Sequence, residues 1–111
     1  MHSKLGDKML PEEVNNYETI IVSRHRHLIS VLKTKGLVDE TVPWFTHVTV
    51  EDIKDKHVIG MLPLHLAKAT ALYTEIPIRI PYDKKGKELE VVEIEWYAQK
   101  PTTYRVEEIE S

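Results

Sequence analysis

Serine 23 opens a run, Ser23-Arg24-His25-Arg26-His27, that carries two guanidiniums and two imidazoles directly behind the β-branched stretch Thr19-Ile20-Ile21-Val22. An arginine grips a phosphate through two parallel hydrogen bonds, which lysine cannot do. An imidazole titrates near neutrality and so takes or gives a proton under physiological conditions. A second group of the same kind follows another apolar run: Gly60-Met61-Leu62-Pro63-Leu64-His65 comes after His57-Val58-Ile59. Gly60 lets the backbone turn sharply or lets a ligand come close. Pro63 suits the first position of a helix, and the free amides of such an opening suit an anion. Leu62 flanks that opening, and His65 falls in its first turn. A basic turn, Lys84-Lys85-Gly86-Lys87, is the third group. Together these residue types are equipped for phosphate chemistry: holding an anion, stabilising charge and moving a proton.

Each also has an ordinary reading. Arg24 and Arg26 are also what a solvated helix edge looks like. His65 fits any helical first turn, and His47 fits an alternating strand. His57 reads as a strand-start residue without a special role, and the lysines read as a solvated turn. The His-Arg-His pair has no accompanying carboxylate pattern, so no metal is expected there. No phosphate-loop consensus and no Gly-x-Gly-x-x-Gly occurs, and no cofactor is expected.

The elements that must position these residues follow from periodicity. Glu18–Ser23 reads as a buried strand. His27–Lys35 reads as a helix, with Leu28, Val31 and Leu32 on one face and Gly36 as its stop. Thr41–Val50 alternates as a strand, and Thr49 or Glu51 begins a short polar turn or helix. His57–Met61 is a short buried strand broken by Gly60. "LPLHLAKATALYT" predicts an apolar helix from Pro63, and "EIPIRIPY" predicts a strand that its two prolines confine to an edge or interrupt. Residues 88–98 alternate like a strand yet also place Leu89, Val92 and Trp96 at helical spacing. Thr102–Ile109 closes the chain as a strand. Strands alternating with helices predict an α/β fold with a mostly parallel central sheet of about five strands. Ligands in such sheets bind beyond the carboxyl ends of the strands, where the strand order reverses. Ser23-Arg24-His25 and Gly60–His65 both fall on that edge.

The totals narrow the setting. The chain has 111 residues, 41% apolar and 30% charged, which predicts one globular domain at 18–111 behind an N-terminal extension at 1–17. Pro11-Glu12-Glu13-Val14 in that extension predicts a short helical turn, and His2 falls in a loose tail. The formal net charge of -3 argues against a broad grip on duplex nucleic acid while leaving a small anion open. No apolar run reaches the roughly 18 residues that a membrane span needs. The polar opening "MHSKLGDKMLPEEVNNY" predicts no secretory leader. Six histidines is a high count, and the absence of cysteine rules out disulfides and fits a cytoplasmic location.

Ser23-Arg24-His25, then His47 in "THV", then Val58–Gly60 with Leu62, Pro63, Leu66 and Ala67, then Gly86-Lys87-Glu88-Leu89 form an ordered set of short motifs. In this order and spacing the chain, from about residue 19 to 109, resembles the small CRISPR-associated ancillary proteins of type III systems. Two departures stand out: Lys85 replaces an arginine of the family pattern, and the first seventeen residues have no counterpart. The resemblance implies a compact Rossmann-like, CARF-related domain, with a helix rather than a strand across Glu88–Tyr97. It implies a homodimeric, metal-independent ring nuclease that cleaves cyclic tetra-adenylate. Attack of a ribose 2′-hydroxyl on the adjacent phosphodiester would leave linear products with 2′,3′-cyclic phosphate ends. Under that expectation Arg24 stabilises charge and His25 or His65 moves the proton. Ser23 and the backbone around Gly60, Leu62 and Pro63 seat the phosphate, and Lys85 reaches over the rim. A module that binds cyclic oligoadenylate without cutting it, as a sensor or sponge, is the alternative; an acidic protein partner and a metal-dependent nuclease are more distant ones.

Overall fold

The run Thr19–Val22 has no polar side chain beyond its first residue, and it becomes β1, an interior strand of a five-stranded sheet. The computed structural model describes residues 10–110; residues 1–9 of the expected extension, His2 among them, and Ser111 lie outside the described residues. The elements that follow are α1 (Arg26–Thr34), β2 (Trp44–Phe45), α2 (Val50–Ile53), β3 (His57–Gly60), α3 (Leu64–Ala67), β4 (Leu72–Glu75), α4 (Val91–Tyr97) and β5 (Thr102–Tyr104). Short 3₁₀ turns cover Glu12–Asn16 and Tyr82–Lys84.

The sheet order is β2-β1-β3-β4-β5. The first four strands run parallel, and β5 pairs antiparallel with β4. Period-two alternation sends β-strand side chains to opposite faces. Ile21 and Ile59 pack with Leu28, Val31 and Leu32 of α1 and Ile94 of α4. Ile20, Val22 and Val58 pack on the other face with Ile53, Leu62, Ala67 and Tyr73. The fold is thus α/β, with a mostly parallel sheet and helices on both faces. Among the described residues no helix is long and apolar enough to cross a membrane.

Several elements differ from the sequence expectation. The helix predicted over "LPLHLAKATALYT" lasts only four residues. Thr70 ends it by donating its hydroxyl to the Ala67 carbonyl at 2.7 Å. The Ala71 amide then bonds to Lys56 O at 2.8 Å, and the chain enters the ladder as β4 beside β3. Tyr73 therefore stands on a central strand rather than on a helix. Beyond Glu75, which closes β4, the strand predicted over "EIPIRIPY" is absent apart from an isolated Ile78–Ala98 bridge. Pro77 and Pro81 have no N–H to donate, and Ile76 still buries its side chain in the core. The long strand expected at Thr41–Val50 narrows to Trp44–Phe45, and the terminal strand to Thr102–Tyr104. Residues 91–97 are helical, as the resemblance implied against local alternation. Glu90 and Glu93 form a capping box at its start, and Ile94 is fully buried against the α1 layer.

Candidate functional site

From β1 the chain passes through α1 to β2 on one side, and β3 then pairs with β1 on the other. The strand order reverses there, and parallel strands leave a crevice at their carboxyl ends at such a point. A cavity of about 1160 Å³ occupies this position. Ser23, Arg24, His25, Gly60, Leu62 and Pro63 line it, and so does His47. His65 and Lys85 do not: both are exposed and lie outside its lining, whereas Gly86, Lys87 and Glu88 of the basic turn border it.

The lip is built by hydrogen bonds that shape the backbone. Ser23 is buried, and its amide bonds to Phe45 O at 3.0 Å. Its hydroxyl accepts the His25 amide at 3.0 Å. That turn fixes where Arg24 leaves the strand and makes His25 the N-cap of α1. No side chain caps α1, so this nine-residue helix opens onto the cavity edge uncapped. The helix at Pro63, which the sequence suggested as the anion-binding opening, is a single turn of four residues with little dipole to offer. Pro63 is its N-cap rather than its first residue.

The opposite wall depends on Gly60. Its φ is 140°, and a Cβ there would sit 1.8 Å from the Val22 carbonyl oxygen. Only glycine lets β3 approach β1 this closely as the strand ends. The Met61 amide then donates to that same carbonyl at 3.1 Å. Tyr73, from β4, fastens the next residues: its hydroxyl accepts the Leu62 amide at 2.9 Å and donates to Gly60 O at 3.1 Å. Burial pushes the Tyr73 phenol above its ordinary value, which keeps the donating proton in place. The sequence hid this clamp, because the helical reading of its segment turned Tyr73 away from Gly60.

Charge at the site is uneven. Arg26 pairs with Glu88 at 2.5 Å, and Glu88 lies 3.6 Å from His27. Lys84 pairs with Glu93 at 2.7 Å, which ties the basic turn to α4. That contact lowers the Glu93 carboxyl and raises the Lys84 ammonium. Arg24 and Lys87 make no ion pair with a described residue. An uncompensated guanidinium and an ammonium thus border one cavity with two imidazoles, His25 and His47, a set able to hold an anion and to transfer protons. Among the described residues no group of three or more His, Asp or Glu side chains gathers as a candidate metal site.

His57, which the sequence presents as an ordinary strand-start residue, is fully buried at the far end of β3. Its Nδ1 is hydrogen-bonded to Thr19 at 2.9 Å and its Nε2 to Thr74 at 2.7 Å, and Thr74 continues to Thr103. Desolvation pushes its pKa down to about 4. This chain crosses the sheet at its amino half, away from the cavity, and joins four strands.

Residues 20–107 match the family model described as "Putative CRISPR-associated protein (Cas_VVA1548)", and the chain belongs to that family. No curated protein and no solved structure matches it.

Proposed function

From that membership and the cavity at the strand ends, we propose that the protein is a metal-independent ring nuclease of type III CRISPR defence that binds and cleaves cyclic tetra-adenylate. The observation that carries the reading is Arg24, unpaired among the described residues, beside His25 and His47 at the reversal of strand order. The domain would then be a Rossmann-like relative of the CARF sensors, and the protein would work in the cytoplasm, where the messenger is made.

In the proposed reaction a ribose 2′-oxygen attacks the neighbouring phosphorus in line, and the bond from phosphorus to the 5′-oxygen breaks. The 2′-hydroxyl proton passes to a base, and the leaving 5′-oxygen takes one from an acid. Arg24 neutralises the phosphorane, and His25 and His47 are the proton carriers closest to hand; His65 would act only if it came in from outside the lining. Ser23 and the backbone at Gly60, Leu62 and Pro63 seat the phosphates, with Lys87 rather than Lys85 at the rim. Alignment and charge stabilisation carry most of such a rate. A ring with rotational symmetry suits a two-fold homodimer. Met61 and Leu64, 68% and 74% exposed, offer apolar surface beside the opening for a second copy.

The test is to incubate the protein with cyclic tetra-adenylate in excess chelator and identify products by chromatography and mass spectrometry. Linear di-adenylate ending in 2′,3′-cyclic phosphate is expected, with Arg24→Ala at least ~100-fold slower. Ligand that is bound but intact would make the protein a sensor or sponge. Activity lost with chelator would make it a metal-dependent nuclease. The absence of both binding and cleavage would refute the proposal.

A further inference from the structure

Trp44 is one of two tryptophans in the chain and occupies an unusual place. It sits on β2, an edge strand of two residues, in register with Ile21. A tryptophan ring left partly in water on a sheet edge forgoes much of the burial that ordinarily retains it. Trp44 is 38% exposed and lines the cavity, whereas its neighbour Phe45, equally exposed, does not. Its indole N–H donates to the Ser23 carbonyl at 2.9 Å. That carbonyl belongs to the peptide joining Ser23 to Arg24, so one turn anchors both the ring and a guanidinium unpaired among the described residues. The hydrogen bond also fixes the ring before any ligand arrives, which lowers the ordering cost of stacking against it.

A flat aromatic surface and a phosphate-binding cation on the same turn match a nucleotide, which is a flat base joined to a phosphodiester. We infer that Trp44 is the base-stacking platform of the cavity, receiving one adenine of the ligand while Arg24 takes the adjoining phosphate. The inference rests on the proposed function and adds to it a subsite for the base. Base–aromatic stacking tolerates any base, so Trp44 contributes affinity and placement, and discrimination among bases falls to other groups.

The probe is the 2′-deoxy form of cyclic tetra-adenylate, which keeps the bases and phosphates but lacks the attacking hydroxyl. It is titrated into the Trp96→Phe variant, whose emission reports Trp44 alone; Trp96 is 72% exposed on α4, outside the cavity lining. Quenching of that emission is expected, saturating with the Kd measured by calorimetry. Trp44→Leu should weaken binding roughly 5- to 150-fold, and Trp44→Phe, which keeps a ring, by less. Affinity for ribose 5-phosphate, which has no base, should be unchanged in both. Calorimetric binding with no change in Trp44 emission, and with Trp44→Leu binding as tightly as the parent, overturns the inference and leaves the proposed function standing. No calorimetric binding of either the ribose or the deoxyribose ring sinks both.

Discussion

Replacing His57 by Gln isolates a single buried titration. In the folded protein the imidazole is wholly enclosed, with one ring nitrogen hydrogen-bonded to Thr19 and the other to Thr74. Burial lowers its pKa from 6.5 to about 4, while the unfolded chain keeps the ordinary value. Above pH 6.5 neither state binds the proton, and the full stability is present. As the pH falls from 6.5 toward 4, the unfolded chain takes up a proton that the folded one refuses. Stability then drops by up to about 1.4 kcal/mol per pH unit. Below about 4 both states are protonated, and the loss levels off at roughly 3 kcal/mol. This is a large part of the ~5–15 kcal/mol that holds a domain together. Urea unfolding of the parent and His57→Gln, followed by circular dichroism from pH 8 to 4, gives the difference curve. Surface carboxylates titrate in both proteins and cancel. The substitution costs stability at pH 8 through its hydrogen bonds, and its disadvantage should shrink by about 2 kcal/mol by pH 5. A difference that stays flat between pH 7 and 5 would show that the imidazole is not held neutral by burial, and the reasoning would fail.

Two further predictions concern the cavity wall. Gly60→Ala forces a methyl into the Val22 carbonyl, and the φ of 140° adds strain; a loss above ~3 kcal/mol is expected, read as a collapse of the thermal midpoint or of soluble yield. Tyr73→Phe leaves the Leu62 amide and the Gly60 carbonyl without their partner; it should cost ~1–3 kcal/mol in urea unfolding and speed hydrogen exchange at Leu62.

Much of the architecture was legible in local chemistry. Thr19–Val22 is so β-branched and apolar that no helix could bury it as well. The spacing of Leu28, Val31 and Leu32 writes an amphipathic helix one residue from where α1 lies. Alternation of strand and helix was enough to predict a mostly parallel sheet, and the rule for such sheets placed Ser23-Arg24-His25 and Gly60–Pro63 at a common edge. Their meeting around one cavity follows from the strand order.

Tertiary structure decided the rest, because partners distant in the chain outweighed local preference. Leu72–Thr74 continues a helical pattern, yet β3 offers it a parallel ladder and Thr70 closes the helix before it arrives. Residues 91–97 alternate like a strand, yet the position opposite α1 requires a helix that buries Ile94. Which cations lack an ion pair among the described residues was also invisible in the sequence. Arg24 and Arg26 are equivalent as letters, and only the fold brings Glu88 to Arg26 and leaves Arg24 facing the cavity. His57 shows the same limit: its composition suggested nothing, and its enclosure between Thr19 and Thr74 exists only once three strands are side by side. The sequence by itself determined the elements rich in one periodicity and the chemistry their ends carry. The pairing of ambiguous segments, and the charges left free to act, were set by contacts between residues far apart in the chain.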